Sequence, residues 1–307
     1  MATTLKGDRM DLPTSTSNPS SPAAGASYYN TTENALKIYG SDAEWGSVTF
    51  SAIGSQSNPA ASKAVLDEQN YSNGDTVYIV GRNDQTQAAI WYEVGGNKAV
   101  VPTFFSSCRA YYDFRSTTYG GPGTGNDLRG NMNNFSVGGQ WGKNVQGTNH
   151  GTVGSISTSY SFIPQVKWAS SSGSGMVFGM TSGSDDDGIS RNGNAIGNRT
   201  HGSSHSLRGN YVSNLAGSDY SRAVAFGYTP RSNYANFWAS DGSNLSEVES
   251  QSGSYDSMGI SNFHLGSNFD PIGSEASVMR LCVFNSNLSD AQFNSYIDEL
   301  NNMWDDM

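Results

Sequence analysis

Alternating apolar and polar positions divide this 307-residue chain into short extended segments separated by turn-forming clusters, with one clear helical run near the C-terminus. Residues 277–284 read as a strand. Val278, Arg280, Cys282 and Phe284 fall on one face, and Met279, Leu281 and Val283 on the other. Both faces are mostly apolar, the pattern of a strand covered on two sides. Asn285 to Leu288 turn the chain and Ser289 suits a helix N-cap. Phe293, Ile297 and Leu300 then recur at helical spacing.

Upstream, residues 75–81 and 88–94 are rich in β-branched and aromatic side chains and flank a turn at Arg82, Asn83 and Asp84, which predicts a hairpin. Gly95, Gly96, Asn97 and Pro102 punctuate its exit. A brief helix is expected within 60–70, around Ala64, Val65 and Leu66. Residues 28–45 hold two alternating stretches, around Tyr28 and around Ile38, with a polar turn between them and Trp45 beyond. Residues 1–27 contain Pro13, Pro19 and Pro22 among Ser, Thr and Ala, with almost no large apolar residue, and read as an extended arm or linker.

Further strands are expected at 159–168, 175–180, 222–228, 234–239 and 259–266. Their turn-rich spacing favours an antiparallel sandwich over an α/β alternation, and no repeat of fixed period is visible. The predicted organisation is an extended arm (1–27), a β-hairpin attachment region (28–103) and an all-β sandwich domain with a short terminal helix (104–307).

Composition supports this class. Charged residues are only 14% of the chain and apolar ones 36%, so its polarity comes from Gly, Ser, Asn and Thr, a mix that disfavours long helices. Sixteen Tyr and thirteen Phe supply apolar surface for a core. A net charge of −10 with scattered basic residues argues against nucleic-acid binding. No apolar run is long enough to span a bilayer, so no membrane insertion is expected. The N-terminal residues lack the apolar core of a signal peptide, which makes synthesis in a cytosol without export the expectation.

Three stretches resemble known families. The run RLCVFNSNLSDAQF with its terminal helix is similar to the C-terminal signature of laminin-G-like, concanavalin A-like jelly rolls. RAYYDF, a Gly-rich loop and then DLRGNMNNF (residues 127–135) resemble the opening of the same family, with Arg129 and Met132 departing from its usual run. YYNTTENALKIYGSDAEW (residues 28–45) resembles a hairpin module of bacteriophage fibre and virion-surface proteins. Together these imply a virion structural protein of a tailed bacteriophage, of capsid-decoration or tail-fibre type. Its partners would be other virion proteins, reached through the N-terminal region, and further copies of itself. A host surface glycan would be a ligand for the sandwich, and the location would be the virion surface. In such jelly rolls the first and last strands are commonly neighbours, which would bring Cys108 and Cys282, each in a strand-like segment, close together. Two cysteines are too few for a disulfide scaffold, and two buried reduced thiols are the favoured reading.

Concanavalin A-like glucanases carry paired carboxylates on one strand, as glycoside hydrolysis requires. The nearest candidates are Glu247 with Glu249, in a Ser-rich stretch, and Asp298 with Glu299 on the terminal helix. Neither reproduces the family's Glu-x-Asp-x-x-Glu spacing, so solvated acids are expected, with no enzyme and no catalytic residue. Asp185, Asp186, Asp187 and Gly188 suggest either calcium or a solvated acidic loop; Gly183 stands where an EF-hand loop would need an oxygen ligand. His201 and His205 are four apart but in a Gly/Ser-rich segment unsuited to a helical zinc pair, and His150 and His264 have no sequence partner. The stretch 120–125 lacks the Gly-Lys-Ser/Thr ending of a phosphate loop. No cofactor is expected. Tyr228, Tyr234, Phe237 and Trp238 form the densest aromatic cluster, read as core ahead of a sugar platform.

Overall fold

A computed structural model describes residues 4–6, 9–11, 13–32, 35–40, 44–48, 53–115, 125–132, 134, 160–168, 174–182, 185–192, 195–201, 207–212, 223–230, 235–238, 244–248, 262–265 and 276–304. The chain is all-β, built mainly of antiparallel sheets and closed by a single C-terminal helix. Its packing separates two compact units, Met1–Asn58 and Pro59–Met307. Val80, Arg82, Gln87 and Thr103, all in the second unit, bond to the closing helix or to Trp304 just past it.

In the first unit, β1 (Thr4–Lys6) pairs with β2 (Arg9–Asp11). A four-stranded sheet follows, in the order β3 (Thr14–Ser15), β4 (Ser27–Asn30), β5 (Ala35–Tyr39) and β6 (Trp45–Val48). The 28–45 stretch thus forms the expected hairpin, and Trp45 opens a third strand. Part of the Pro-containing arm is not a free linker but an edge strand. Tyr29 N–H donates to the Pro13 carbonyl at 2.8 Å and Thr31 N–H to the Ser15 carbonyl at 3.0 Å. Proline cannot donate to a ladder, yet its carbonyl accepts, which suits it to an edge. Tyr28 meets Trp45 edge-on at 5.0 Å and its hydroxyl donates to Asn18 Oδ1 at 2.6 Å, fixing the arm a second time.

The second unit starts with the short helix α1 (Lys63–Asp67) and a three-stranded sheet, β7 (Thr76–Val80), β8 (Thr86–Val94) and β9 (Asn97–Val101). The β7–β8 hairpin is the one expected. Strand β9 lies between the Gly95–Gly96 pair and Pro102, the residues expected to punctuate the hairpin's exit. Gly95 and Gly96, at φ +57° and +81°, make the tight turn that brings it back, a backbone path glycine adopts without strain. A single 3-10 turn, Thr103–Ser107, leads to β10 (Ala110–Asp113).

Beyond β10 lie β11 (Ser161–Trp168), β12 (Ser174–Ser182), β13 (Asp185–Asn192), β14 (Ala195–His201), β15 (Leu207–Val212), β16 (Ala223–Ala225), β17 (Gly227–Pro230), β18 (Ala235–Trp238), β19 (Asn244–Val248), β20 (Asn262–Leu265) and β21 (Ala276–Phe284). They form two large antiparallel sheets. The seven-stranded one runs β10-β21-β11-β17-β18-β19, with β16 also on β11; the five-stranded one runs β15-β14-β13-β12-β20. The opening and closing strands are neighbours, with Tyr111 opposite Cys282. Cys108 lies at the end of the 3-10 turn, not in a strand, because the chain first turns at Thr103–Ser107 before extending. Both cysteines are buried free thiols. Burial, and then a hydrogen bond with Cys282, push the Cys108 thiol well above its ordinary range.

The run from Asp127 is a loop organised by one carboxylate. Oδ1 of Asp127 accepts from Tyr111 N and Arg129 N, each at 2.9 Å, and Oδ2 from Asn131 N and Met132 N, each at 2.8 Å. Arg129 donates to the carbonyls of Cys108 and Ser106 at 3.2 Å and lies 5.2 Å over the Phe105 ring. These contacts tie the loop to the 3-10 turn.

Helix α2 (Asp290–Asn302) begins at the expected N-cap, Ser289, which forms a capping box with Gln292. Phe293, Ile297 and Leu300 are fully buried against the seven-stranded sheet, and Phe293 stacks on Trp238 at 3.8 Å with planes 14° apart. The close approach depends on Gly227, where an added Cβ would sit 2.3 Å from the Phe293 ring. At the helix's other end, Gln165 Nε2 donates to the Leu300 carbonyl at 2.9 Å, and Arg115 and Arg280 both donate to the Trp304 carbonyl. Cationic groups are favoured at a helix C-terminus, where carbonyls lack partners. Arg280, an oddity in an otherwise apolar strand, is thereby explained: it is fully buried, bonds Gln165, and holds the chain just past the helix.

Candidate functional site: a polar cleft beside the closing helix

The apolar stripe of α2 faces the sheet, so its other residues are left to line a cleft. Ala291, Asn294, Ser295, Asp298 and Asn302 recur at three- and four-residue intervals and therefore stack along one face, with Glu299 beside them. The opposite wall is the β7–β8 turn and the start of β8, contributing Asn83, Gln85, Thr86, Gln87 and Ala88; Thr103 closes one side. The cleft has a volume of about 870 Å³.

Its walls are fixed by direct bonds between them. Gln87 Nε2 donates to the Glu299 carbonyl at 3.0 Å, and Arg82 N–H to the Asn302 carbonyl at 3.0 Å. Trp304 Nε1 donates to the Val80 carbonyl at 3.1 Å. Arg82 Nη1 reaches the Ala223 carbonyl at 2.8 Å, joining the hairpin to the large sheet as well. The Glu299 carboxylate accepts from Thr103 N–H and, at 2.8 Å, from Thr103 Oγ1. Burial raises the Glu299 carboxyl above its ordinary value; the two Thr103 bonds pull the other way, and the Asp298 charge adds a smaller upward push.

Asp298 and Glu299, expected to be solvated helix acids, thus both line the cleft. Glu247 lies in β19 opposite Asn236, in a strand where a turn was expected; Glu249 is outside the described residues. The acidic run from Asp185 is also in a strand, with Asp185, Asp186 and Asp187 opposite Ser182, Thr181 and Met180, so its backbone is paired and not looped. His201 closes β14 opposite Leu207 and His264 lies in β20 opposite Gly179, while His150 and His205 fall outside the described residues. Of the stretch 120–125, only Gly125 is described. Among the described residues, no group of three or more His, Cys, Asp or Glu side chains is placed to hold a metal ion. Tyr228 and Trp238 are fully buried, which makes them core; Tyr234 lies outside the described residues.

No family model matches the chain, and no curated protein does. Solved structures do. A CBM40 of the Ruminococcus gnavus IT-sialidase bound to α2,3-sialyllactose aligns at 11% identity over 50% of this chain and 96% of that one, with a TM-score of 0.38. Domain 4 of AbnA, a GH43 extracellular arabinanase from Geobacillus stearothermophilus, in complex with arabinotriose, aligns at 12% identity over 62% and 98%, with a TM-score of 0.44. Trypanosoma rangeli sialidase in complex with sialic acid aligns at 12% identity over 73% and 45%, with a TM-score of 0.43. At this level of identity, and with TM-scores under 0.5, these likenesses assign neither a ligand nor an activity to the chain.

Proposed function

We propose that this chain is a non-enzymatic structural protein of a tailed-bacteriophage particle. Its N-terminal part attaches it to capsid or tail, and its larger β unit is displayed on the particle surface for host adhesion or capsid stabilisation. The observation that supports this reading is the two-unit build. A small sheet within residues 1–58 takes its edge strand from a Pro-containing arm, held by main-chain bonds of the kind that join strands between subunits as readily as within one. The 28–45 hairpin, whose residues resemble a virion-surface module, forms the centre of that sheet. Homo-oligomeric assembly follows naturally if attachment sites on the particle are symmetric.

Mass spectrometry of purified particles tests the reading: the chain is expected among the virion proteins, and its absence would overturn the proposal. Deleting residues 1–58 should abolish incorporation while circular dichroism still records a β-rich cooperative unfolding of the remainder. Continued incorporation of that truncation would sink the attachment role.

One observation favours a second reading, glycan hydrolysis. The Glu299 carboxyl is raised by burial, as a general acid's would be, and stands next to Asp298. Both Glu299 oxygens, however, are engaged by Thr103, which gives the residue a structural use. Reducing-sugar release from host polysaccharide, lost in Glu299→Gln or Glu247→Gln, would support hydrolysis; absence of turnover would end it.

A further inference from the structure

We infer that the cleft between the β7–β8 turn and α2 is a binding site for a neutral oligosaccharide. The inference deepens the adhesion part of the proposed function and takes only its biological setting from it. Three observations carry it.

The first is lining chemistry. Among the described residues that line the cleft, no side chain larger than alanine lacks a polar group. Asn and Gln amides each offer a donor and an acceptor, Ser and Thr hydroxyls do the same, and carboxylates accept. Adjacent sugar hydroxyls, each able to donate and accept, can pair with such groups. A hydrophobic ligand or an amphipathic helix would find no large apolar side chain among the described lining residues.

Second, the walls are preorganised. Asn294 and Ser295 are held on a helix, and the facing wall is pinned by the Gln87 and Arg82 bonds to that helix's last turns. A volume of about 870 Å³ lies within the roughly 300–1,000 Å³ typical of ligand sites. Little ordering is then needed on binding, which favours a ligand that contributes many weak hydrogen bonds.

The third is charge. The ionisable lining groups are Asp298 and Glu299, both acidic, in a chain of net charge −10. Sialylated, uronate or sulfated sugars would meet like charge, so the cleft selects neutral ones. With no aromatic among the described lining residues to stack on a sugar ring, single-site affinity should be weak, on the order of 1 mM, and useful on a particle through many copies.

The test titrates the full-length chain by saturation-transfer NMR and calorimetry. The neutral probes are maltotriose, cellotriose, mannotriose and chitotriose; the acidic probes are 3′-sialyllactose and trigalacturonate. At least one neutral trisaccharide should bind, with the acidic ones at least about tenfold weaker. Ser295→Trp should fill the cleft and abolish binding, and Asn294→Ala should weaken it about three- to tenfold. Both residues are exposed, so both variants should melt with the wild type. The inference is overturned if no neutral probe binds at about 10 mM, if binding is indifferent to both variants, or if the acidic probes are preferred. Particle incorporation is scored separately. A chain present on particles but blind to these sugars fails this inference alone, whereas a sugar-binding chain absent from particles fails the virion reading alone.

Discussion

Gly227→Ala puts the docking of α2 to a direct test. Gly227 lies opposite Trp238 in the large sheet, and the Phe293 ring covers both. A Cβ at 227 would stand 2.3 Å from Phe293 Cδ1, 2.6 Å from Cε1 and 3.2 Å from Ile297 Cδ1. Carbon atoms in contact sit about 3.5–4.0 Å apart, so the ring would have to withdraw by more than about 1 Å. Phe293 is fully buried and stacked on Trp238, which leaves it no free direction. Overpacking of this kind costs about 1–3 kcal/mol. Without a clash, the same change would stabilise a strand by about 0.5–1 kcal/mol, because alanine loses less backbone freedom on folding. The two accounts therefore differ in sign.

Urea unfolding of the full-length chain, followed by tryptophan fluorescence and far-UV circular dichroism, reads the difference. Phe293→Ala alone should cost about 3–5 kcal/mol through the cavity it leaves. In that background the 227 methyl has room, and Gly227→Ala should cost little or even stabilise, giving a coupling energy of about 1–3 kcal/mol between the two sites. An unchanged or raised stability for Gly227→Ala alone, or strict additivity in the cycle, would refute the argument that this glycine is required by the helix.

Three further outcomes are expected. The Glu299 carboxyl titrates above its ordinary value of 4.5 in the folded chain, so the folded state holds its proton longer than the unfolded one and stability falls as pH rises from about 4.5 through the raised value. Glu299→Gln should remove that decline, and parallel melting-temperature profiles for wild type and variant would refute it. Cys108 and Cys282 are buried, and Cys108 is pushed well above 9.0, so a maleimide should label neither at pH ~8 in the native protein and both after unfolding; stoichiometric native labelling would contradict the packing. Asp127→Asn turns an amide N–H₂ toward backbone N–H donors now bonded to a carboxylate oxygen, and should cost about 1–3 kcal/mol in urea unfolding; a neutral result would mean the loop does not depend on that acceptor.

Where the chain spoke plainly, a local signal and the tertiary outcome agreed. Ser289 followed by Phe293, Ile297 and Leu300 announced α2, two-sided apolarity announced β21, and β-branched runs announced β7 and β8. Strand β9 had its signal too, since paired glycines between alternating segments form a hairpin turn, but they were weighed as punctuation. Strands β13, β14 and β15 had none. Asp185–Asn192, Ala195–His201 and Leu207–Val212 are rich in Gly, Asn and charge, and their extended state comes from pairing, on both sides for the first two and on one side for the third, which propensity does not record. The cleft was equally hidden. Asn83, Thr103 and Asn294 belong to three separate segments, and amides and hydroxyls on a surface follow no period a sequence can display. Asp298 and Glu299 were singled out, but as a failed catalytic pair; only the fold gives them a shared surface with the β7–β8 turn.

Helix α2 carries two duties on two faces, and this makes the stability and binding arguments separable. Its inner face places Phe293, Ile297 and Leu300 on the sheet, and its C-terminal end is fastened through Gln165, Arg115 and Arg280. The outer face offers Asn294, Ser295 and Asp298 to the cleft. Substitutions inside should lower the melting temperature and disturb the cleft only by releasing the helix. Substitutions outside should leave the melting temperature alone and change only what the cleft holds. Glu299 bridges the two, since its side chain bonds Thr103 while it lines the cleft, so Glu299→Gln should register in both measurements. A Ser295→Trp variant that unfolded with Phe293→Ala would mean the faces are not independent and the cleft is part of the core's own packing.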